Sequence, residues 1–417
     1  MSRRDCDIAI VGGGLVGASL ACALAPLGYR VALIEAVPTQ AAAQPSYDDR
    51  TLALGLASCR ILEGLGLWAG LRDCATPIRE IVVNERGRPG RVRLSAAELG
   101  LDAFGQVVEA RAFGVAVRQR LAALDGVQLL CPARVTAWRA GADAAWVNLQ
   151  GEAVPTELSA ALVVAADGAS SVVRRMAGIP AREKDYFQTA VTCNVTPAQA
   201  HRGRAFERMT DTGPFAVLPH QGGRCGLVWC APSAQAEELL ALPEAEFLHR
   251  ASARFAGEIG PFQRMGRRSA HALKLLVAES DVFPRGLLVG NAAHTIHPAG
   301  AQGFNLGLRD VAVLAELLSA AGPAEVARDP GKHEVLNAYS AWRRPDRDAT
   351  VAWTDGLVGL FASPVGMSAT ARTLGLVAHA LLPVLRRRLA CRAMGYRGHS
   401  PRLAMGEALR PPDFAAS

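Results

Sequence analysis

Several features that define other protein classes are missing from this chain of 417 residues. No stretch reaches the roughly 20 consecutive apolar residues that a membrane-spanning helix needs. The 9 cysteines include no Cys-x-x-Cys pair, which argues against a disulfide framework or a structural zinc site. The N-terminal residues run directly into an apolar strand pattern, so no signal peptide is predicted. Together these absences predict a cytoplasmic protein with reduced thiols, and the length favours two or three domains.

Acidic residues are absent from residues 356–406, and this absence explains the net charge of +7. The stretch holds 7 arginines, which equal the whole basic excess, while the rest of the chain is balanced. No recognition helix, zinc finger or aromatic stacking platform accompanies these arginines. Nucleic acid is therefore not a predicted partner.

The first informative motif lies at the N-terminus. An apolar strand pattern at 7–11 ends in GGGLVG at 12–17, and an Ala- and Leu-rich helical pattern and a second strand pattern follow. In this G-x-G-x-x-G motif, Gly12 permits a tight turn, Gly14 lets the backbone approach a pyrophosphate, and Gly17 permits close helix packing. Glu35 ends the second strand, where an acid binds ribose hydroxyls. The motif predicts a dinucleotide site that favours FAD or NAD over NADP.

Two later stretches repeat the order of strand, glycine turn and helix. Residues 162–174 read LVVAADGASSVVR, in which Asp167 and Gly168 form the turn and Ser171 caps the helix. Taken alone, this stretch fits a structural turn as well as a functional one. Residues 287–310 read LLVGNAAHTIHPAGAQGFNLGLRD and place a glycine loop before a helix with one apolar face.

Three such units in this order resemble the FAD-dependent aromatic hydroxylases of the para-hydroxybenzoate hydroxylase type. That family carries an N-terminal G-x-G-x-x-G, a central D-G-x-x-S-x-x-R and a later glycine loop that begins G-D-A-A-H. The present chain departs from it at Asn291, where the family has Asp. Asparagine both accepts hydrogen bonds from a hydroxyl and donates to it, so FAD binding is still expected.

Finer similarities narrow the resemblance to the ubiquinone-biosynthesis hydroxylases, especially the branch that acts on 2-polyprenyl-6-methoxyphenol. They are found at 49–54 (DRTLAL), 105–109 (GQVVE), 203–208 (GRAFER), 224–229 (RCGLVW) and Lys274.

This resemblance implies an α/β fold, with a Rossmann-like FAD-binding domain, an inserted β-rich substrate domain and C-terminal helices. The hydrophobic pattern agrees, because 79–84 and 91–94 read as a hairpin and 334–395 reads as helical with breaks at Pro364 and Pro383. The implied ranges are 1–76, 105–178 and 284–325 for the FAD domain, 77–104 and 179–283 for the substrate domain, and 326–417 for the helical region.

The resemblance also implies an activity. NAD(P)H reduces FAD, O2 adds to the reduced ring as a C4a-hydroperoxide, and the ring of a polyprenylated phenol is hydroxylated, with other quinone-biosynthesis enzymes as candidate partners. This chemistry needs a mostly apolar cavity that excludes water. Candidates for its lining are Phe215, Pro298 and Phe304. The sequence nominates no general base.

Individual cofactor contacts are implied in the same way. Arg50 resembles a family arginine near the pyrophosphate and the incoming nicotinamide nucleotide; the alternative is an ion pair with Asp48 or Asp49. Arg174 is expected to face NAD(P)H. The full set of cofactor-binding candidates is Gly12, Gly14, Gly17, Glu35, Arg50, Gln106, Arg111, Asp167, Arg174, Asn291, Pro298, Gly300, Gly303 and Asn305.

His294 and His297 raise the alternative of a metal site. No nearby Cys, Asp or Glu completes a ligand set before Asp310, so a metal is not predicted.

The sequence is compatible with two alternative functions and with two interpretations of its C-terminal part. One alternative function is a hydroxylase of a soluble aromatic compound with a small closed pocket. Another is a prenyl-binding escort protein on the same scaffold, although the intact phosphate glycines argue against it. The two interpretations concern the apolar stretch 373–385 and the arginines at 386–388. They fit either a buried helix with a cationic end or a docking surface for the inner face of an anionic membrane.

Overall fold

The computed structural model describes residues 4–38, 50–319, 329–362 and 367–409. Asp48, Asp49 and Pro364 lie outside these ranges. Within them the chain forms a mixed α/β structure with the following strands: β1 Cys6–Val11, β2 Val31–Ile34, β3 Thr51–Gly55, β4 Thr76–Pro77, β5 Glu80–Glu85, β6 Arg91–Ser95, β7 Gly105–Glu109, β8 Val127–Leu130, β9 Arg134–Ala140, β10 Ala145–Gln150, β11 Glu157–Ala165, β12 Ala181–Pro197, β13 Arg204–Thr210, β14 Gly213–Pro219, β15 Cys225–Pro232, β16 Phe262–Met265, β17 Ser269–Ala278, β18 Val282–Phe283, β19 Gly286–Leu288 and β20 His294–Thr295.

The helices confirm the helical character predicted for the C-terminal part of the chain. One of them begins at Pro383, as predicted, whereas Pro345 lies inside a long helix without ending it. In chain order they are α1 Leu15–Leu24, α2 Leu56–Gly64, α3 Ala110–Ala122, α4 Val172–Met176, α5 Ser233–Ala241, α6 Glu244–Phe255, α7 Gly303–Ser319, α8 His333–Ala362, α9 Met367–Leu381, α10 Pro383–Met394 and α11 Arg402–Met405.

The first sheet is mostly parallel, with the strand order β18-β19-β11-β1-β2-β8, and β10 and β9 continue it from β11. Its central strands are continuous apolar runs because both faces are covered. Helices α1 and α7 pack on one face, and a separate cluster of buried residues covers the other. The carboxyl ends of β1, β11 and β19 meet at one edge, and each of these strands leads into a glycine-containing turn or loop.

The second sheet has the order β20-β17-β12-β15-β14-β13-β5-β6. The predicted hairpin is confirmed, since β5 pairs antiparallel with β6. Helices α5 and α6 contribute to an aromatic-rich core on one face, while residues of α9 and α10 pack with the other. Strand β20 joins this sheet directly after the β19 loop, so the third glycine loop bridges the two sheets. The predicted domain boundaries stay a prediction.

Within the described ranges, none of the helices combines the length and the apolar character required to span a bilayer.

Candidate active site

The N-terminal glycine turn packs directly on the end of β11. Gly12 has φ of +103°, and a Cβ atom there would lie 2.5 Å from the Ala166 carbonyl oxygen. A Cβ atom on Gly17 would lie 2.0 Å from the Gly12 carbonyl oxygen. Both distances are shorter than any van der Waals contact, so these positions require glycine. The turn thereby packs tightly on β11, and it brings Gly14 and the N-terminus of α1 to the wall of a cavity, where helix amides and the helix dipole favour an anion.

Glu35 lies beside this turn, at the end of β2. Its carboxylate accepts hydrogen bonds from the backbone N–H groups of Gly13, at 2.6 Å, and Val37, at 2.7 Å. Glu35 therefore lies next to the glycine turn, and its contact with ribose hydroxyls stays a prediction.

The second unit presents a carboxylate with an oxygen that has no partner. Asp167 Oδ2 accepts from the backbone N–H groups of Val172, at 2.8 Å, and Val173, at 3.3 Å. Its Oδ1 is buried and bonds to no other described residue. Ser171 caps α4 as predicted, because its Oγ accepts from the Arg174 backbone N–H at 3.0 Å.

A cavity of about 390 Å³, here called the glycine-loop cavity, lies where the three units meet. Each unit contributes to its wall, and so does Arg50, which precedes β3. The residues of the predicted set that line it are Gly14, Arg50, Asn291, Pro298, Gly303 and Phe304.

A second cavity, of about 250 Å³, adjoins the first and is here called the apolar cavity. It lies between the second sheet and helices α8, α9 and α10. Most of its wall is aliphatic or aromatic, with Ile81, Leu94, Trp353, Leu376 and Leu389 among the lining residues. Ala53, Glu207, Leu218 and Ala301 line both cavities, so the two cavities share part of their walls.

Residues 5–354 match the model of a family described as the FAD binding domain. The chain belongs to this family. The residues present suit FAD, because Gly14 and the start of α1 line the glycine-loop cavity and Asp167 has a buried oxygen that bonds to no other described residue. The protein is accordingly an FAD-dependent monooxygenase, a class whose typical electron donor is NAD(P)H. When bound, FAD supplies the oxygen-activating chemistry.

Named relatives agree with this assignment. The chain is 42% identical to the ubiquinone hydroxylase UbiL of Rhodospirillum rubrum over 93% of its own length and 89% of that protein. It is 33% identical to the Escherichia coli 3-demethoxyubiquinol 3-hydroxylase, with 95% and 100% covered. Among solved structures, p-nitrophenol 4-monooxygenase PnpA of Pseudomonas putida DLL-E4 superposes with a TM-score of 0.76 at 20% identity, covering 94% of this chain and 99% of that one. At this identity the superposition demonstrates the shared fold alone.

The prediction that Phe215 lines the pocket is wrong. Side chains alternate between the two faces of β14, so Pro214, Ala216 and Leu218 face the glycine-loop cavity. Phe215 points to the opposite face, where it is fully buried and contacts the ring of Trp229 at 5.4 Å between centroids. The sequence indicates that side chains of β14 alternate between two faces, but it does not indicate which face lines the cavity.

Asn305 lines the apolar cavity, yet each of its polar atoms is already bonded within the protein. Its Oδ1 accepts from the Gly55 N–H and the Ser58 hydroxyl, and its Nδ2 donates to the carbonyl oxygens of Ala53 and Ala301, all within 2.8 Å. The side chain therefore ties the junction of β3 and α2 to the third glycine loop, a role different from the predicted contact with the cofactor.

Arg174 is also used internally. It is 4% exposed, and its guanidinium donates to the carbonyl oxygens of Ala292, at 2.8 Å, and Ala169, at 3.0 Å. It joins the second glycine unit to the third. This placement favours a structural role over the predicted contact with NAD(P)H.

The two histidines of the third loop have partners other than a metal. His294 donates from Nε2 to Asp310 at 2.7 Å. His297 Nδ1 accepts from the Ala299 N–H, so its Nε2 carries the proton and donates to Gln188 at 3.1 Å. Burial lowers the pKa of His297 to about 4 and keeps the ring neutral. Across the described ranges, no three His, Cys, Asp or Glu side chains are grouped as metal ligands would be.

Arg50 lines a second feature besides the glycine-loop cavity. A groove of about 820 Å³ extends from it across the second sheet, and its wall includes the side chains of Arg224, Arg264 and Arg267 with one acid, Glu109. This groove shares Arg50, Thr51, Val228 and Pro298 with the glycine-loop cavity. A groove of this charge suits a nucleotide phosphate.

Gln106 and Arg111 are not among the described residues that line these cavities. Gln106 lies in β7 opposite Leu54, and Arg111 is exposed in the first turn of α3. Their predicted roles near FAD stay predictions.

The residue that the sequence analysis missed is Glu207. Alternation along β13 places Ala205, Glu207 and Met209 on the face that lines the apolar cavity. An acid between apolar residues at inward positions of a strand was the available signal. The resemblance of GRAFER at 203–208 to a family motif does not reveal that these residues form a strand with two faces.

Proposed function

We propose that this monooxygenase hydroxylates the ring of a polyprenylated phenol in ubiquinone biosynthesis. The observation that carries the proposal is the pair of adjoining cavities. One is lined by residues of the three glycine units, which suit FAD, and the other is almost entirely apolar and shares part of its wall with the first. The names of the relatives UbiL and 3-demethoxyubiquinol 3-hydroxylase support a substrate of this class.

The assignment of residues to FAD is part of the proposal. The turn at Gly12, Gly14 and Gly17 would hold the pyrophosphate, because Gly14 lines the glycine-loop cavity and α1 begins directly after it. Glu35 would hold ribose hydroxyls. The flavin and its ribityl chain would be held by the remaining candidates, which line the glycine-loop cavity or belong to its loops. These candidates are Asp167, Asn291, Pro298, Gly300 and Gly303. NAD(P)H would dock along the basic groove beside Arg50.

Deleting the gene in its host tests the pathway assignment. We expect 2-polyprenyl-6-methoxyphenol to accumulate and ubiquinone to fall, since the missing hydroxyl blocks the later ring modifications. Lipid extracts analysed by mass spectrometry measure both. Re-expression of the wild-type chain should restore ubiquinone. Re-expression of a Gly17→Ala variant, which is expected to bind FAD more weakly, should restore less ubiquinone and is the negative control. An unchanged quinone pool in the deletion strain contradicts the proposal, and accumulation of 2-polyprenylphenol moves the enzyme one step earlier.

We further propose that the substrate reaches the apolar cavity from an anionic membrane. The corner between α9 and α10 exposes Leu381 (72%), Leu382 (52%) and Val384 (63%). The arginines at 386–388 follow directly, while Leu376 and Leu389 of the same two helices line the apolar cavity. Exposed apolar side chains beside a cluster of arginines are typical of surfaces that dock on acidic lipids.

Binding to liposomes tests this route. The purified protein is expected to float with acidic vesicles at low salt and to be released as salt rises, because the arginine contribution is screened. The double variant Leu381→Asp/Val384→Asp should lose at least about tenfold in partitioning, since two large apolar side chains no longer enter the interface. Leu129→Asp, which alters an exposed leucine on β8, is the matched control. Equal flotation of both variants rejects the docking surface.

A further inference from the structure

We propose that Glu207 binds the hydroxyl group of the phenol and accepts its proton as the ring is attacked. The inference rests on the proposed function, because it requires a phenolic substrate in the apolar cavity. It assigns to this chain the proton acceptor that its sequence did not reveal.

The position of Glu207 is the first argument. It lies in the middle of β13, and it is the one acidic side chain among the described residues that line either cavity. It belongs to the wall that both cavities share. A phenol held in the apolar cavity with its ring toward the glycine-loop cavity must therefore pass beside this carboxyl group.

The surroundings of Glu207 are the second argument. Its cross-strand neighbours are Val83 on β5 and Ala216 on β14, both apolar. Its Oε1 is buried and bonds to no other described residue, and no described lysine or arginine forms an ion pair with it. A buried carboxyl oxygen without a partner carries a free-energy cost, which a bound hydroxyl would remove.

The protonation state of Glu207 is the third argument. Burial raises the pKa of this carboxyl to about 7, and the backbone N–H of Gly300 limits the rise. The acid is therefore partly ionised near neutral pH, which suits a group that accepts and later releases a proton. Nearby titratable groups do not replace it. Burial raises the pKa of the Cys230 thiol, which leaves it neutral, while His379 on α9 bonds through Nδ1 to the Gly375 carbonyl oxygen.

The proposed step is simple. The phenol O–H donates to the Glu207 carboxylate, and its proton moves to the carboxylate as the ring gives up electron density. The electron pair of the O–H bond stays on the phenol oxygen and makes the ring a better nucleophile. The proton returns to the hydroxyl or to water when the product leaves, so the carboxylate is regenerated.

Ligand binding tests the inference without turnover. The probes are 2-methoxy-6-prenylphenol, with a single prenyl unit, and its methyl ether, which lacks the O–H. Their dissociation constants are measured on the oxidised, FAD-loaded enzyme from the perturbation of flavin absorbance, between about pH 5.5 and pH 8.5. In the wild type, the Kd of the phenol should rise about tenfold toward low pH, because a carboxylate accepts a hydrogen bond more strongly than the neutral acid. The ether should bind with little pH dependence, and it reports any separate effect of His379.

Variants separate Glu207 from other causes. Glu207→Gln should bind the phenol with a pH-independent Kd, whereas Glu207→Asp should keep part of the pH dependence. Glu183→Gln, which alters an exposed glutamate on β12, should behave as the wild type. FAD content and circular dichroism of each variant confirm that it is folded and loaded.

The outcomes are distinct. A wild-type phenol Kd without pH dependence overturns the role of Glu207, and so does a pH dependence that survives in Glu207→Gln. Failure of the wild type to bind the phenol at any pH overturns the proposed function, and this inference with it.

Discussion

Replacing Gly17 by alanine is expected to weaken FAD binding by roughly 10- to 100-fold, although the substitution adds only one methyl group. Helix propensity alone predicts the opposite, because alanine is favoured over glycine in a helix by about 1 kcal/mol. The close contact decides the sign. A Cβ atom at this position would lie 2.0 Å from the Gly12 carbonyl oxygen, so the turn must move away from α1. The moved turn no longer presents its amides to the pyrophosphate.

The measurement is the FAD content after purification, followed by titration of the apoprotein with FAD. Gly359→Ala is the matched control, since Gly359 lies in α8 with no heavy atom within 4 Å of an added Cβ. That variant should keep full FAD content and gain about 0.5–1 kcal/mol of stability. Equal FAD affinity in the two variants would contradict the assignment of the N-terminal turn to the cofactor.

Replacing Asp310 by asparagine is expected to lower the free energy of unfolding by about 3–5 kcal/mol. Asp310 is buried in α7 and accepts from three groups: the His294 ring and the Arg343 guanidinium, both at 2.7 Å, and the Gly290 N–H at 2.9 Å. Burial alone would raise the pKa of Asp310, but His294 and Arg343 outweigh burial and hold the pKa well below its usual range. Without this carboxylate, a buried guanidinium loses one of its two charged partners and the third glycine loop loses its anchor.

Urea unfolding of FAD-saturated protein measures this effect, with Asp348→Asn as the control at a side chain that is 57% exposed. Because the folded pKa of Asp310 is depressed, its contribution is present above the unfolded pKa of about 3.9 and is lost only as pH falls through the folded value. The part of the difference due to Asp310 should therefore persist from about pH 5 to pH 8. A difference below 1 kcal/mol would mean that Arg343 is satisfied by Asp346 alone.

Local patterns predicted the parts of the molecule that local physics controls. The glycine turn at Gly12, the cap at Ser171 and the hairpin of β5 and β6 each follow from residues within a few positions of one another. The order of these units also identified the cofactor class, because strand, turn and helix must succeed one another along the chain.

Features that depend on distant packing escaped prediction. Phe215 and Glu207 both lie in strands of the second sheet, and the sequence does not reveal which face meets α8, α9 and α10 and which meets α5 and α6. Asn305 and Arg174 carry family motifs, but only the folded chain reveals that their polar atoms bond to Ala53 and Ala292. Motifs thus identified the loops of the site without separating residues that touch a ligand from residues that hold the loops.

The Glu207 carboxyl group in the wall of the apolar cavity also affects which molecules the cavity excludes. A pocket that fills from a membrane is surrounded by lipid acyl chains, which outnumber any quinone precursor and match its walls equally well. An acyl chain pushed as far as Glu207 would leave its buried carboxyl oxygen without a hydrogen bond, so a cost of about 1–3 kcal/mol would remain. A phenol that ends at the same place avoids this cost. The single acid in the wall would therefore keep bulk lipid from acting as a competitive inhibitor of the enzyme.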